Sequence, residues 1–500
     1  MSQEPEVVNE ENEDLTIPWV FTAGGQIRRA YGVMNRPYSR CKEAPRRHQH
    51  TSLYVAIAAI LLTGMAFSFW WYPLTSPSHS WYTPTDLWRT YRDAQYVSWS
   101  GEGVIYNSGT FFESFPGIAV ALAPIAWISG VLHLSESFPL AILRPSAWFL
   151  LGPANLLLGS FILFPLDALA RRLKVNQSRR VVLTWLSAVL LWPVLVVWGH
   201  PEDLLAIAFT LYSLLAVEDG KWLRVGFFVG IAIAFQPLAL IVLPISMSLI
   251  PARKWPPVLF EAALPSGILL VAPLVQQWGP TTTYLLKQPS FLGLDHATPW
   301  VSLAPVISPA KTVLSKVAES VRHANGTLTL REVTVRVHEI ETIAAGPERL
   351  IVVALSCAAG VWVGYRRPAL NQILWLAAVV LCLRCLFECV VDSYYLVPGL
   401  LLAIVVASTL TRWRFASTVT AAAITTWASY WFASPWHYYL AISTGLIAVL
   451  LLSSPFGNIA VPASPRAHET RPSSDVARKR ELASDPLSLV SEGPNAHEPS

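Results

Sequence analysis

Long apolar stretches limit what this chain can fold into more than any other feature of its sequence. From Leu53 onwards, apolar residues gather into many runs of roughly 18 to 25 residues, the length that a helix needs to cross ~30 Å of hydrocarbon. Only 14% of the 500 residues are charged and 53% are hydrophobic, whereas soluble chains carry about 25% charged residues. The sequence therefore predicts an all-α, polytopic integral membrane protein with about 11–14 hydrophobic segments.

The two ends of the chain differ from its apolar centre. Residues 1–50 begin with six acids within fourteen residues and become basic from Arg28, and residues 456–500 are rich in Pro, Ser and Ala with mixed charge. Such compositions bury too little apolar surface to fold alone. We expect a disordered cytoplasmic N-terminal arm over 1–50, a transmembrane domain over 51–455 and a disordered cytoplasmic tail over 456–500.

The positions of the basic residues favour one orientation in the membrane. The net charge is only +4, and Lys and Arg occur in short clusters between apolar runs. This is the pattern of cytoplasmic loops and not of a nucleic-acid-binding face, so the expected partner is a lipid bilayer and not a nucleic acid. With the basic clusters inside, a multi-pass cell-membrane protein is predicted whose outer segments are 73–115, 199–203, 278–346, 392–395 and 435–439.

Two regions do not fit a simple alternation of spans. Residues 116–168 need an odd number of crossings, although their hydropathy suggests two segments. Residues 223–250 join two sides that should both be cytoplasmic, and Pro237 in their middle predicts two short segments that meet at a break. Because irregular backbone at membrane depth survives only where protein or a water-filled cavity satisfies it, this break indicates a nearby site.

The first outer segment carries an acid followed by two bases. If Pro84 opens a helix, Asp86 lies in its first turn, where the helix dipole favours a carboxylate. Arg89 and Arg92 follow three and six residues later, so one face could carry the acid and both guanidinium groups. A carboxylate beside cations suits a general base close to a phosphate-bearing substrate. The same spacing also fits a solvated interfacial helix with i,i+3 ion pairs.

A second polar cluster follows the span that ends near residue 198. His200, Glu202 and Asp203 are held close to the membrane plane by Pro201, because almost no linker separates the two apolar runs. We predict that all three bind substrate. N-capping of the next helix by Glu202 or Asp203 is the structural alternative.

A third cluster consists of Arg384, Glu388 and Asp392, which are expected at i, i+4 and i+8 on one helix that ends outside. Charges within a span cost roughly 2.5 to 3.5 kcal/mol each, so they usually face a cavity or each other. We predict that all three contribute to substrate binding. A self-satisfied pair of Arg384 and Glu388 that faces the bundle is the structural alternative.

Cysteine residues also repeat with helical spacing in this region. Cys382, Cys385 and Cys389 share a face, but thiols without nearby His are more often small core residues. The sequence predicts neither a metal site nor a cofactor.

Several of these segments resemble a known family. The matching positions of the first outer segment are Asp86, Leu87, Tyr91, Asp93, Ala94, Gly101, Tyr106, Phe115 and Pro116. They are similar to the first outer loop of the GT-C membrane glycosyltransferases, and most of all to that of the actinobacterial polyprenyl-phosphate-mannose-dependent α-mannosyltransferases. Residues 199–203, 226–244 and 392–398 resemble later segments of that family. Where the family often has Lys before a proline, this chain has Gln236.

The resemblance implies a GT-C-like fold whose extracytoplasmic first loop carries short helices. It also implies an inverting transfer of a mannosyl residue from a polyprenyl-phosphate donor to an extracytoplasmic glycolipid or polysaccharide acceptor, without a metal. Asp86, which matches the family's first-loop aspartate, is then the catalytic general base.

The remaining site predictions depend on charge and topology. Arg89, Arg92 and His200 are the expected phosphate-stabilising cations, with Arg384 more remote. Tyr91 is expected to stack on sugar or to line the lipid's path, although such residues also form interfacial belts. The alternatives are an arabinofuranosyltransferase, a transporter or flippase, which a break at Pro237 would suit, and a structural subunit without a site.

Overall fold

The computed structural model of the protein describes residues 47–457 except 77, 102, 104, 107–114, 137–142, 293–295, 323–327, 340 and 433. Most of the predicted arm 1–50 and of the predicted tail 456–500 lies outside the described residues. The helices are α1 (Arg47–Ala66), α2 (Thr85–Ser100), α3 (Gly117–Val131), α4 (Trp148–Ser160), α5 (Leu163–Arg172), α6 (Gln177–Pro193), α7 (Pro201–Glu218), α8 (Trp222–Phe235), α9 (Ala239–Ser248), α10 (Trp255–Gln276), α11 (Trp278–Lys287), α12 (Glu348–Arg366), α13 (Leu370–Phe387), α14 (Val397–Ala407), α15 (Arg412–Trp431) and α16 (Pro435–Ser453). The π-helical turns Phe67–Trp71 and Val194–Trp198 extend α1 and α6.

Many of these helices have the length and composition of membrane spans. Within the described residues, seven helical stretches are long and apolar enough to cross a bilayer: Thr51–Thr75, Trp148–Arg172, Gln177–Trp198, Ala252–Gln276, Glu348–Arg366, Leu370–Phe387 and Pro435–Ser453. Four shorter apolar helices accompany them: Gly117–Val131, Trp222–Phe235, Ala239–Ser248 and Ser393–Ala407. The protein is therefore a mostly helical, multi-pass membrane protein. Both classes together reach the lower end of the predicted 11–14 segments.

The centre of the bundle is formed by helices that are apolar on every side. All eleven residues of α14 are buried, and most of α7 is buried as well. A helix that is hydrophobic all round must be surrounded by other protein or by lipid. Here α14 is packed against α13, α15 and α16, so the surrounding helices shield it from the bilayer.

The predicted cytoplasmic segments meet at one end of the bundle. Arg172 pairs with Asp219, and Arg179 Nη1 donates hydrogen bonds to the carbonyl oxygens of Ser408 and Leu410 at 2.8 and 2.7 Å. These contacts join the turns after α5, α7 and α14. Below, this region is called the basic end.

The region 116–168 contains one full-length apolar stretch. Helix α3 packs along α2, and the segment that follows α3 returns to the first outer segment. Glu136 contacts Gln95, and the Arg144 guanidinium donates to the carbonyl oxygen of His79 at 3.1 Å. Among the described residues of this region, Trp148–Arg172 is the stretch that is long and apolar enough to cross a bilayer. One such stretch is compatible with the odd number of crossings that the sequence requires.

The break predicted at Pro237 is confirmed. Helix α8 ends at Phe235 and α9 begins at Ala239, so residues 236–238 interrupt what hydropathy presents as one apolar run. Both helices return to the basic end, since Lys221 before α8 pairs with Asp219, and Leu249 after α9 accepts a hydrogen bond from Arg367 at 3.1 Å. The two helices therefore form a hairpin.

Strands in the predicted outer segments accompany the mostly helical bundle. They are β1 (Ser290–Phe291), β2 (His296–Ala297), β3 (Val306–Ser308), β4 (Lys311–Arg322), β5 (Leu328–Glu339), β6 (Thr342–Ile343) and β7 (Val390–Val391). The antiparallel pairing is β1-β6-β3, β2-β7 and β4-β5. The pair β4-β5 joins twelve residues from each strand, from Lys311↔Glu339 to Arg322↔Leu328. The long outer segment 278–346 is therefore built largely from β-structure after α11.

Candidate active site

A cavity of about 540 Å³ lies where the predicted outer segments meet. Its volume is within the ~300–1,000 Å³ that is usual for small-molecule sites. Residues from 73–115, 199–203, 278–346 and 392–395 all line it, together with the break between α8 and α9. Its charged, amide and imidazole side chains are Asp86, Arg89, Asp93, His200, Glu202, Gln236, Gln288, Arg349, Arg384, Glu388 and Asp392. Four chain segments that are remote in sequence thus supply one polar surface.

Asp86 presents its carboxylate to this cavity. Helix α2 begins at Thr85, directly after Pro84, and Asp86 lies in its first turn as the sequence predicts. Arg89 Nη1 lies 3.2 Å from Asp86 Oδ1, and His200 Nε2 lies 3.4 Å from Oδ2. The Asp86 side chain keeps 36% of its surface exposed. The carboxylate is therefore held between two basic groups and accessible to a ligand.

The imidazole ring of His200 is held by contacts at one edge and on one face. Its Nδ1 lies 2.7 Å from Oε1 of Glu202, which is buried. The ring of Tyr394 stacks on the imidazole with centroids 4.0 Å apart and planes 16° apart. The 3.4 Å contact with Asp86 is longer than a good hydrogen bond, so this side of the ring acts mainly through its charge. Asp86, His200 and Glu202 form a carboxylate–imidazole–carboxylate row.

Gly199 allows the turn that carries His200 to lie against α2. Its φ is +75°, a left-handed conformation that is open to glycine and costly for other residues. A Cβ atom at this position would stand 2.7 Å from the Cβ atoms of Leu87 and Pro84. The glycine therefore permits both the backbone conformation and the close approach that bring His200 to Asp86.

The contacts between Asp86, His200 and Glu202 set the ionisation states of Asp86 and His200. Burial raises the pKa of Asp86, but the adjacent imidazole of His200 and the charge of Arg89 lower it by more, so the net pKa lies below the ordinary 3.8. Burial lowers the pKa of His200, whereas Glu202 and Asp86 raise it well above the ordinary 6.5. At neutral pH the pair is a carboxylate facing an imidazolium.

Two arginines share one carboxylate elsewhere on the cavity wall. Arg349 Nε and Nη2 lie 3.0 and 2.9 Å from Oε2 of Glu388, and Arg384 Nε lies 3.6 Å from Oε1. The Arg384 guanidinium also lies 3.8 Å from the centroid of the Tyr395 ring. Arg349 further contacts Gln288. Two guanidinium groups and one carboxylate leave one net positive charge, with N–H donors fixed in position.

The prediction that Arg384, Glu388 and Asp392 share one helix is wrong. Helix α13 ends at Phe387, and Glu388 has extended backbone dihedrals. Strand β7 then pairs with β2, and Thr298 donates a hydrogen bond to the Glu388 carbonyl oxygen at 2.6 Å. Because these partners satisfy the backbone, the chain leaves the helix before Asp392. All three side chains nevertheless line the cavity.

Three other predicted site residues do not line the cavity. Arg92 Nη2 lies 3.4 Å from the Tyr96 hydroxyl. Tyr91 is 1% exposed and packs edge-on against Trp88. Asp203 is 2% exposed, in the first turn of α7. The structure thus brings together Asp86, Arg89, His200, Glu202, Arg384, Glu388 and Asp392, and it leaves Arg92, Tyr91 and Asp203 behind the cavity wall.

Arg349 is a cavity residue that sequence reasoning missed. It follows the strands of the long outer segment and occupies the first turn of α12. A cation is unfavourable at this end of a helix dipole, and that signal could have marked Arg349 as a functional candidate. Gln288 and Asp93 also line the cavity, and the sequence analysis assigned no site role to either residue.

The three cysteines that were expected to share a helical face lie on α13 or directly after it. Cys382 and Cys385 are buried, and Cys389 contacts Glu348. Within the described residues, no group of three His, Cys, Asp or Glu side chains has an arrangement that could hold a metal ion.

No model of a known protein family and no curated protein matches this chain.

Proposed function

We propose that the protein is an inverting glycosyltransferase of the GT-C type. It moves a mannosyl residue from a polyprenyl-phosphate donor to an extracytoplasmic glycolipid or polysaccharide acceptor. The observation that carries the proposal is the Asp86 carboxylate, which is open to the cavity and paired with Arg89 and His200. A single oriented carboxylate is the group that an inverting transfer from a lipid phosphate requires.

Asp86 is the general base in this reaction. It accepts the proton of the acceptor hydroxyl while that oxygen forms a bond to the anomeric carbon of the donor sugar. The bond from the anomeric carbon to the phosphate oxygen breaks on the opposite face, and its electron pair leaves with the polyprenyl phosphate. His200 and Arg89 keep the carboxylate ionised and oriented before the proton arrives.

Arg349 and Arg384 form the proposed binding site for the donor phosphate. Their shared Glu388 leaves one net positive charge, which matches a phosphodiester monoanion. Preorganised cations stabilise the charge that develops on the leaving phosphate, an effect of ~3 to 4 kcal/mol in other enzymes. The apolar side chains of Leu240, Ile241 and Val353, on α9 and α12, line the same cavity and suit a polyprenyl chain.

The extracytoplasmic location of the site is supported by charge distribution. Helix α7 starts beside His200 at the cavity and ends at Glu218 near the basic end, 18 residues later. That length corresponds to about 27 Å, close to the thickness of the hydrocarbon core. Because Lys and Arg clusters stay in the cytoplasm, the cavity belongs on the outer side.

A transporter or flippase is the second candidate. The break between α8 and α9 lines the cavity through Gln236 and Pro237, and transporters often bind substrates at such discontinuous helices. Charged cavity residues, however, come from the outer segments and the outer ends of helices, which suits a reaction at one surface. An arabinofuranosyltransferase would use the same base and differ in the shape of its sugar pocket.

The decisive experiment substitutes Asp86→Asn and measures sugar transfer. Membranes that contain wild-type protein are incubated with a panel of radiolabelled polyprenyl-phosphate sugars, and the polyprenyl-phosphate mannose is expected to label one product. Loss of a general base typically costs 10²–10⁴-fold in rate, so we expect a decrease of that size in Asp86→Asn. Asp219→Asn, which removes an acid at the basic end, is the matched control and should keep the wild-type rate.

Two results would contradict the proposal. Transfer by Asp86→Asn at the wild-type rate, with equal protein in the membrane, would remove Asp86 from the chemistry. If wild-type membranes moved an unlabelled lipid-linked sugar across the bilayer and transferred no label, the flippase hypothesis would replace the glycosyltransferase hypothesis.

A further inference from the structure

Asp93 is a buried acid of the cavity wall to which the proposed reaction gives no role. It is 2% exposed and lines the cavity, and its Oδ1 has no hydrogen-bond partner among the residues that the structure describes. Leaving a buried polar group unpaired costs ~1–3 kcal/mol in proteins. An unpaired carboxyl oxygen beside a cavity therefore points to a ligand that pairs with it.

Asp93 lies on the same helix as Asp86, the proposed general base. It lies seven residues after Asp86 on α2, which places both acids on one face of the helix, about 10 Å apart along its axis. Tyr106 and Tyr284 also line the cavity, and their rings stack with centroids 5.8 Å apart. The cavity is thus lined by an acid two helical turns from the proposed base and by two stacked phenol rings.

This chemistry favours a neutral polyhydroxyl ligand. A carboxyl group and two phenols carry no positive charge, so the guanidinium pair of Arg349 and Arg384 suits a phosphate better than they do. A sugar has hydroxyl groups that pair with a carboxyl and C–H faces that pack on aromatic rings. The acceptor sugar, whose reacting hydroxyl must lie at Asp86, is the ligand that would extend toward Asp93.

We infer that Asp93 binds a hydroxyl group of the acceptor sugar, in a subsite that is also lined by Tyr284, whose ring packs on the buried Tyr106. The inference rests on the proposed function and adds to it the binding site of the acceptor. Asp93 acts here as a substrate-binding residue and takes no part in proton transfer to the reacting oxygen.

The protonation of Asp93 adds a pH signature. Burial raises the pKa of this carboxyl to about 8, although the charge of Arg92 lowers it. The other charged and titratable groups that share its helix and the cavity are Arg89 and Asp86, and the phenols of Tyr106 and Tyr284 line the same cavity, while α3, packed against α2, carries none. At pH 7 the carboxyl is neutral and donates a hydrogen bond, and it loses that proton as the pH rises through 8.

The test uses the full-length protein in detergent, with an alkyl α-mannoside as the acceptor probe. Binding of the probe is measured calorimetrically, and the Michaelis constants for probe and donor are measured separately. Asp93→Leu is expected to weaken probe binding about tenfold or more, the effect of one lost buried hydrogen bond, and to leave the donor constant unchanged. Wild-type probe affinity should fall from pH 7 to pH 9.

Asp93→Asn separates this role from a structural one. An amide of the same size keeps a hydrogen-bond donor and cannot ionise, so the variant should bind the probe near pH 7 and lose no affinity up to pH 9. Equal probe affinity in wild type and Asp93→Leu, or an unchanged alkaline decrease in Asp93→Asn, would overturn the inference. Absence of sugar transfer by wild-type protein would instead refute the proposed function, while the binding measurements would still decide whether the subsite exists.

Discussion

The charge state of Asp86 is set by its nearest neighbours. His200 is held between Asp86 and the buried Glu202 and stays protonated at neutral pH. An imidazolium favours the ionised form of the adjacent carboxylate, so the proposed base is available across the physiological range. Because the pKa of Asp86 is lowered, its ionisation, and the stabilisation from its pairing, are lost only as the pH falls through a value below 3.8.

Substitution of His200 by Gln should move the acid limb of the pH–rate profile. Without the imidazolium, burial dominates and the pKa of Asp86 rises. An opposite charge within a few ångströms lowers a carboxyl pKa by about 1–3 units, so the acid limb of kcat/KM is expected to move upward by at least about one unit. His437→Gln, an exposed histidine at the start of α16, should leave the profile unchanged. An unmoved limb in His200→Gln would exclude the proposed electrostatic coupling.

Helical geometry explains which of the predicted residues on α2 reach the cavity. At 100° per residue, three residues after Asp86 stay near its face, and Arg89 does pair with it. Six residues turn the helix by 600°, so Arg92 lies 120° away and does not reach the cavity. Seven residues return to within 20° of Asp86, which makes Asp93 the better candidate from spacing alone. The position of His200 and Glu202 near the membrane surface was predictable, because they lie in a short turn between two apolar runs.

The turn between α6 and α7 connects the two halves of the candidate site. We expect Gly199→Ala to destabilise the protein by about 1–3 kcal/mol, because alanine is strained at positive φ and its methyl group meets Leu87 and Pro84. Activity should decrease further, since His200 moves away from Asp86. Thermal unfolding in detergent and the transfer assay measure the two effects.

Gly267→Ala is the matched control for this turn. It lies within α10, and an added Cβ would meet no atom within 4 Å, so its Tm should be unchanged or higher. A Gly199→Ala variant with wild-type Tm and activity would show that the turn tolerates a side chain.

Local chemistry decides which elements the sequence could predict. The break at Pro237 was predictable, because proline removes a backbone donor in the middle of an apolar run. The end of α13 was not, since Cys389, Val390 and Val391 continue the apolar pattern and only pairing with β2 draws the chain out of the helix. The β4-β5 pair had a readable signal: alternating valines such as Val333, Val335 and Val337 follow an Asn-Gly dipeptide, a strong hairpin pattern.

At the scale of the whole molecule, the polar cavity and the basic contacts lie at opposite helix ends. Cysteine labelling tests the resulting orientation with one matched pair, Lys287→Cys at the end of α11 and Lys221→Cys before α8, both exposed. In intact cells, a membrane-impermeant maleimide should label Lys287→Cys, and it should reach Lys221→Cys only after lysis. The reverse result would place the cavity in the cytoplasm and exclude the proposed acceptor.

The composition of the cavity wall also has a consequence for the biosynthesis of the protein. Asp86 is synthesised early, yet Arg349, Arg384 and Asp392 leave the ribosome only after most of the other membrane helices. Chains that end before α13 contain Asp86 with Arg89 and His200 but lack Arg384, Glu388 and Asp392, so their cavity wall is incomplete. Under the proposed function, we expect truncated chains of this kind to transfer no sugar, because the complete site forms only when nearly the whole integral domain has been synthesised.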